Sequence, residues 1–206
     1  AVNAFTEAAI QDAGIGNLGD LAVMTPSLSA TTNLNPFNTR LTIRGIGTSQ
    51  NDPALEPSVG LFVDGVFMAR TGLGAADLTD VERIEVLQGP QGTLYGKNTN
   101  AGAISITTKR PNLESYEGYL EAGVGDHNMT KLTATIAGPL ADTLALRISG
   151  NMHQRGAYYD NEGFGVDDQD AVDDWNLQGK LLWQPSDQLS FLLNAVRIER
   201  DTTCCG

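Results

Sequence analysis

"VERIEVLQGPQGTLYGKNTNAGAISITTKRP", residues 81–111, is the stretch on which the fold turns. Its middle, residues 88–102, sets Gly89, Gly92, Gly96 and Lys97 behind an apolar run and invites comparison with a phosphate-binding loop. Such a loop needs a glycine, four residues, then Gly-Lys-Ser/Thr, so that amides cradle the phosphates and the hydroxyl meets magnesium. Counting back from Gly96-Lys97, the first glycine is replaced by Gln91, and the hydroxyl position holds Asn98. A phosphate loop also opens a helix whose N-terminus faces the anion. Here Ala103, Ile104, Ser105, Ile106 and Thr107 follow instead, an alternation that reads as a strand. The run is therefore a link between two strands. Its glycines permit turns where a Cβ would clash, and Pro90 fixes one of them. Tyr95 is expected to pack on the core, and Lys97 to be a surface or lumen charge rather than a phosphate ligand.

Towards the N-terminus, residues 1–112 read as a compact α/β unit. Thr6, the run 7–13 and Gly14 spell a short capped helix, and Asn17 opens a second that Pro26 closes. Strands are expected at 40–44, 59–63, 66–68 and 81–87. Asp64-Gly65 lies between two of them, a hairpin signal because the turn needs positive φ.

After Pro111 the texture changes to two-residue alternation in segments of about ten residues, the pattern of barrel strands. Leu132, Ala134 and Ile136 alternate with Lys131, Thr133 and Thr135; Leu144, Leu146 and Ile148 alternate with Arg147 and Ser149. Further strands are expected at 116–124, around Trp175–Trp183 and from Leu189, where Leu192 and Val196 blur the pattern. Connections at 138–142 and 185–188 are short, whereas the one from about 156 to 173 is long and acidic. Short turns at one end and longer loops at the other mark a transmembrane β-barrel. Trp175 and Trp183 share a face, about 26 Å apart along a strand. At a tilt of roughly 45° that spans about 19 Å of depth, fitting two aromatic girdles. A soluble antiparallel sheet with one face on a core also alternates. The repeated long strands, uneven loops and paired tryptophans favour the membrane. Five strands cannot close, and an open edge in lipid costs several kcal/mol for each unpaired group. The chain is thus expected to be the N-terminal piece of a longer one.

The net charge of −12 argues against a nucleic-acid partner. No run approaches 18 apolar residues, so no transmembrane helix is expected. The start carries neither an initiator Met nor a charged-then-apolar leader, so a signal peptide is expected to be absent or already removed. Cys204 and Cys205 are adjacent and make no disulfide framework or metal site. The histidines are His127 and His153, and no nucleophile elbow accompanies them, so no catalytic residue is assigned. Residues 160–174 hold seven acidic side chains and no basic one. They lack the fixed spacing of a calcium loop and read as a solvated extracellular loop.

The run 81–111, together with Leu41-Thr42-Ile43-Arg44-Gly45-Ile46-Gly47 and Ser58-Val59-Gly60-Leu61-Phe62-Val63-Asp64-Gly65-Val66, resembles the plug motifs of TonB-dependent outer-membrane receptors, in the same order. The likeness covers most of residues 18–111, and the later strands resemble the start of the receptor barrel. It implies an α/β plug domain at 1–112, with a small mixed sheet and short helices. At 113–206 it implies the first five or so antiparallel strands of a 22-stranded plugged barrel. It further implies a bacterial outer-membrane location and a monomeric barrel in contact with outer-membrane lipid. The function implied is binding and import of a scarce nutrient, a ferric siderophore first, with cobalamin or an oligosaccharide as alternatives. Energy would come from the inner-membrane TonB complex, through a segment expected ahead of Ala1. No cofactor beyond the ligand, an iron–siderophore complex, is implied. A ligand-sensing signalling receptor and a soluble β-rich binding module are the competing readings.

Members of this family commonly carry arginine in both the Ile-Arg-Gly and the Leu-Arg-Gly-Pro motifs, where the two pair with barrel glutamates. Arg44 keeps the first; Gln88 replaces the second and cannot carry charge. Arg44 and Gln88 are thus the expected plug–barrel anchors. Gln50, Asn51, Asp52 and Arg70 are the expected ligand contacts, from their positions on plug loops.

Overall fold

The computed structural model describes residues 2–32, 39–48, 55–69, 71, 78–158 and 171–202. The chain divides into two compact units, Ala1–Lys109 and Arg110–Gly206.

The first unit opens with strand β1 (Val2–Thr6), which runs directly into helix α1 (Glu7–Asp12). Thr6 serves both: it ends the strand, and its Oγ1 accepts from the amide of Ala9 at 3.5 Å. Helix α2 (Leu18–Met24) starts from a complete capping box. Asn17 Oδ1 accepts from the Asp20 amide at 3.0 Å, and Asp20 Oδ2 accepts from the Asn17 amide at 3.1 Å. Both contacts satisfy amides that the helix itself leaves unpaired. Strands β2 (Leu28–Thr32) and β3 (Thr39–Ile43) form a separate antiparallel pair.

Strands β4 (Val59–Val63) and β5 (Val66–Phe67) form the expected hairpin, with Asp64 at φ 49° and Gly65 at φ 80°. Strand β6 (Val81–Gln88) and strand β7 (Gly102–Thr108) flank the link that contains helix α3 (Gly92–Tyr95). The main sheet has the order β1-β6-β7-β4-β5, parallel between β4 and β7 and antiparallel elsewhere. Its core joins Leu61, Ile84, Val86, Ile104 and Ile106 to Leu18 and Leu21 of α2. Asp64 locks the hairpin onto β7, its carboxylate accepting from the Thr108 amide at 2.8 Å and from the Thr108 hydroxyl at 2.6 Å.

Three elements depart from the expected pattern. Neither β1 nor β2 was expected, because both are short and small-residued; β1 is a strand because β6 supplies its hydrogen bonds. Helix α3 is a single turn inside the link, too short to have a periodicity of its own. Gly102 closes the link at φ 156°, where a Cβ would run into the carbonyl oxygen of Leu87 and the side chain of Ile43.

The second unit is a meander. Strands β8 (Glu117–Gly125), β9 (Met129–Ala141), β10 (Leu144–Arg155), β11 (Val172–Ser186) and β12 (Leu189–Thr202) each pair antiparallel with the next. The turn expected over 138–142 shrinks to Asp142 and Thr143, because β9 continues through Pro139. A register shift between Leu144 and Ala145 accommodates that proline, which cannot donate to the ladder. Tyr116 lies across Gly138, where any Cβ would collide with its ring, and its hydroxyl donates to the carbonyl of Pro139 at 3.0 Å.

Ile104 lies fully buried at the centre of the first unit's sheet. Ile104→Ala is expected to destabilise that unit by about 2–5 kcal/mol, read from the denaturant midpoint of its unfolding.

Candidate functional site

The link 88–102 holds no anion cradle. Gly96-Lys97 is followed by bends and then β7, with no helix opening after it. The backbone is tied across its neck instead: the Gly89 amide donates to Ala101 and the Gln91 amide to Thr99, each at 3.0 Å. Thr99 is buried and its hydroxyl donates to the Gly96 carbonyl at 2.8 Å. Tyr95 packs on Phe62 with ring centroids 4.7 Å apart, and Phe62 in turn lies 5.6 Å from Phe67. Lys97 is an exposed surface charge whose ammonium meets Glu56 at 2.7 Å. The hydrogen bond and positive charge of Lys97 hold the Glu56 carboxyl below its ordinary range.

Arg44 and Gln88, separated by 44 residues, meet each other: Arg44 Nη2 donates to Gln88 Oε1 at 2.7 Å. Arg44 gets there from a tight turn at the end of β3. Its φ is 53°, Gly45 follows at φ 77°, and Ile43 and Ile46 exchange backbone bonds of 3.0 Å around them. The Arg44 amide donates to the carbonyl of Ser27 at 2.8 Å, fixing the turn against the start of β2. Gln88 ends β6, and Gly89 turns the chain away at φ 88°. The pair thus clasps the turn after β3 to the end of β6, with the guanidinium exposed.

Gln50, Asn51, Asp52 and Arg70 lie outside the described residues, as do Cys204 and Cys205. Among the described residues no three His, Cys, Asp or Glu side chains converge as a metal site.

The second unit carries a surface of reversed polarity. The register aligns Glu117, Ala137, Arg147, Lys180 and Asn194 in one cross-strand row. Two further rows on that face hold Thr133–Asn151–Asn176 and Lys131–His153–Asp174–Arg200. At the middle of the sheet these polar positions are covered, Arg147 being 3% exposed and Lys180 2%, whereas Glu117 and Asn194 at the ends of their row are exposed. Their polar atoms pair with one another. Arg147 Nη1 donates to Glu117 Oε2 at 2.8 Å, Asn151 Nδ2 to Thr133 Oγ1 at 2.9 Å and Arg200 Nε to Asp174 Oδ2 at 2.9 Å.

The opposite face presents Leu120, Ile136, Ile148, Leu177 and Trp183, with Leu120 73% and Leu177 48% exposed. A soluble sheet hides its apolar face. Here the apolar face is open, which is the arrangement for lipid. Trp183 stacks on Phe191 at 5.4 Å, forming an aromatic end to the band; Trp175 lies at the other end. The alternation reverses in the far half of β12. There Arg197 and Glu199 stand opposite Leu177 and Trp175 on the apolar side, while Val196 and Ile198 take the polar side. Arg197 lies over the Trp175 ring at 5.5 Å, an aromatic contact for a cation on that face.

At the end with the long connection, the β8–β9 turn is stapled to the chain leaving β10. Gly156 donates its amide to the His127 carbonyl at 2.8 Å, the His127 ring sits edge-on to Tyr158 at 4.7 Å, and Arg155 lies 3.9 Å over that same ring. Sequence reasoning did not assign the row Lys131–His153–Asp174–Arg200 or this staple. Alternation places each residue on a face, but only the register brings them together.

The family described as TonB-dependent Receptor Plug Domain matches residues 1–103. The pesticin receptor of Yersinia enterocolitica is 36% identical over 135 residues, 66% of this chain and 20% of the relative. The ferrioxamine receptor of Yersinia enterocolitica is 28% identical over 139 residues, 65% of this chain and 18% of the relative. Among solved structures, the ferric yersiniabactin uptake receptor FyuA from Yersinia pestis matches 96% of this chain and 31% of its own, at TM-score 0.84 and 29% identity. The pyoverdine outer membrane receptor FpvA from Pseudomonas aeruginosa PAO1 shares the fold at TM-score 0.77 and 18% identity, over 97% of this chain and 27% of its own. The chain therefore spans only 20% of the length of the pesticin receptor.

The lowered Glu56 carboxyl gives a signed expectation. Stability from the Glu56–Lys97 contact is present above the unfolded carboxyl value and is lost as pH falls through the lower folded one. Lys97→Met should raise the Glu56 titration midpoint, as followed by carboxyl-carbon NMR.

Proposed function

Because the chain belongs to the TonB-dependent receptor plug-domain family, we propose that it supplies the plug and first wall strands of an outer-membrane receptor for a ferric siderophore. The receptor binds the ferric complex outside the cell and passes it to the periplasm with energy from the TonB complex. The observation that carries this reading is the sheet of reversed polarity directly after the plug, apolar where lipid would lie and polar where a lumen would lie. Relatives named as ferrioxamine receptor and ferric yersiniabactin uptake receptor support a ferric chelate as ligand.

In this reading the residues divide the work. Arg44, exposed and charged, anchors the plug to the wall, and Gln88 orients its guanidinium through the 2.7 Å hydrogen bond. A glutamine at that position satisfies one Arg44 nitrogen, where an arginine would repel it. Gln50, Asn51, Asp52 and Arg70 contact the ligand from the plug loops. The role is transport, with no bond made or broken.

Two measurements test it. A strain that depends on the complete receptor should lose growth under iron starvation when the receptor is deleted; growth indifferent to the deletion removes the siderophore reading. In the complete receptor, Arg44→Ala should loosen the plug, raising entry of large antibiotics several-fold while outer-membrane levels of the protein hold. An unchanged permeability would show that Arg44 is no anchor.

A further inference from the structure

On the apolar face of the second unit, each strand carries one unbroken apolar run at its outward positions. The runs lie at 116–124 for β8, with Tyr116 just ahead of the strand, 132–140 for β9, 144–152 for β10, 175–183 for β11 and 189–195 for β12. Among the described residues of these strands, the charged side chains on that face are Asp173, Arg197, Glu199 and Asp201. All four stand beyond the runs, at the end with the long connection. Thr130 and Gln154 continue the polar border on β9 and β10.

The runs do not end in the same cross-strand row. Val124 closes the run on β8, in the row Val124–Thr130–Gln154–Asp173–Asp201, which is already polar on the four later strands. Leu132, Met152 and Trp175 close theirs one row nearer the Asp142 turn. Ala195 closes the run on β12, in the row it shares with Gly118, Ile136, Ile148 and Gly179, three rows from Val124. The other ends of the runs move the same way, from Tyr116 beside Gly138 to Leu189 on β12. Three rows are six residues, about 20 Å along a strand, and four strand spacings are about 19 Å across. A straight edge with that slope lies at about 45° to the strands, which is the tilt of strands that cross a bilayer.

We infer that the edge of the bilayer's hydrocarbon crosses this face obliquely, just beyond Val124 on β8 and between Ala195 and Arg197 on β12, so that Trp175, Arg197 and Glu199 meet the lipid headgroup layer. The inference rests on the outer-membrane-receptor reading and places the lipid edge on its wall. The polarity reversal in β12 then marks that edge. Arg197 shares a row with Leu120, Ala134, Gly150 and Leu177, yet it lies outside the hydrocarbon. Its guanidinium, 5.5 Å over the Trp175 ring and 3.4 Å from the Glu199 carboxylate, reaches the layer that holds the phosphates. An indole at the border meets both layers. An edge drawn along the rows would set Arg197 level with Leu120 and put a charge in hydrocarbon, which barrel walls disfavour.

The test uses the complete receptor reconstituted in phosphatidylcholine bilayers, in a background freed of native cysteines, Cys204→Ser and Cys205→Ser among them. Leu120→Cys, Leu177→Cys and Arg197→Cys, all in one row, each carry a nitroxide, and its depth is read from collisions with oxygen and with a water-soluble nickel complex. The Leu120 site is expected to be oxygen-rich and shielded from nickel, the Leu177 site intermediate, and the Arg197 site nickel-rich, about 14 Å shallower than the first. Val124→Cys and Asp201→Cys repeat the comparison in a second row, with Asp201 the shallower, should one variant fail to assemble. Equal depth within a row overturns the oblique edge while leaving the lipid-facing wall standing. An Arg197 site shielded from oxygen and nickel alike marks a protein cover and also overturns it. Free nickel access at every position overturns the membrane reading itself.

Discussion

The second unit depends on one constraint: every backbone amide and carbonyl must find its partner inside the sheet. In hydrocarbon no water substitutes for a missing hydrogen bond, and each orphan costs several kcal/mol. Between its strands the β8–β12 meander meets it by pairing each with its sequence neighbour, through turns as short as Asp142-Thr143, and a closed barrel would have to meet it at the outer edges of β8 and β12. Once the backbone is satisfied, the side chains are free to divide by face. The strand period of two then sends Arg147, Ser149 and Asn151 one way and Ile148 and Met152 the other. The reversed polarity is thus a consequence of the ladder, and both the lipid surface and the charged row follow from it.

The first unit meets the same requirement through a conventional core. There β4 and β7 run parallel at the centre and are buried along most of their length, which parallel pairs require. The link 88–102 is a consequence of that arrangement. It carries the chain from β6 to the adjacent antiparallel β7 by way of one helical turn, and Gly102 allows the close return past Leu87. What resembles a nucleotide loop in composition is a packing device, with Tyr95 on Phe62 and buried Thr99 closing its neck.

Much of this was legible residue by residue. The capping box of Asn17 and Asp20, the Asp64-Gly65 turn and the alternation after Pro111 are local codes, each written within a few residues. The elements that escaped were those defined by a distant partner. β1 is a strand because β6 accepts it, and β2 because β3 does. The reversal in β12 showed in the sequence only as a blur at Leu192 and Val196. The register turns it into Arg197 and Glu199 on the apolar side.

Sequence alone determined the strand–link–strand reading of 81–111, the change from α/β to alternating texture, and the identities of Arg44 and Gln88 as residues of interest. Tertiary structure decided that those two touch each other, and that Lys131, His153, Asp174 and Arg200 form one row. The physical reason is the range of the interactions. Turn and helix propensities act between residues a few positions apart, whereas a hydrogen bond across 44 residues or a row across four strands exists only once the register is set.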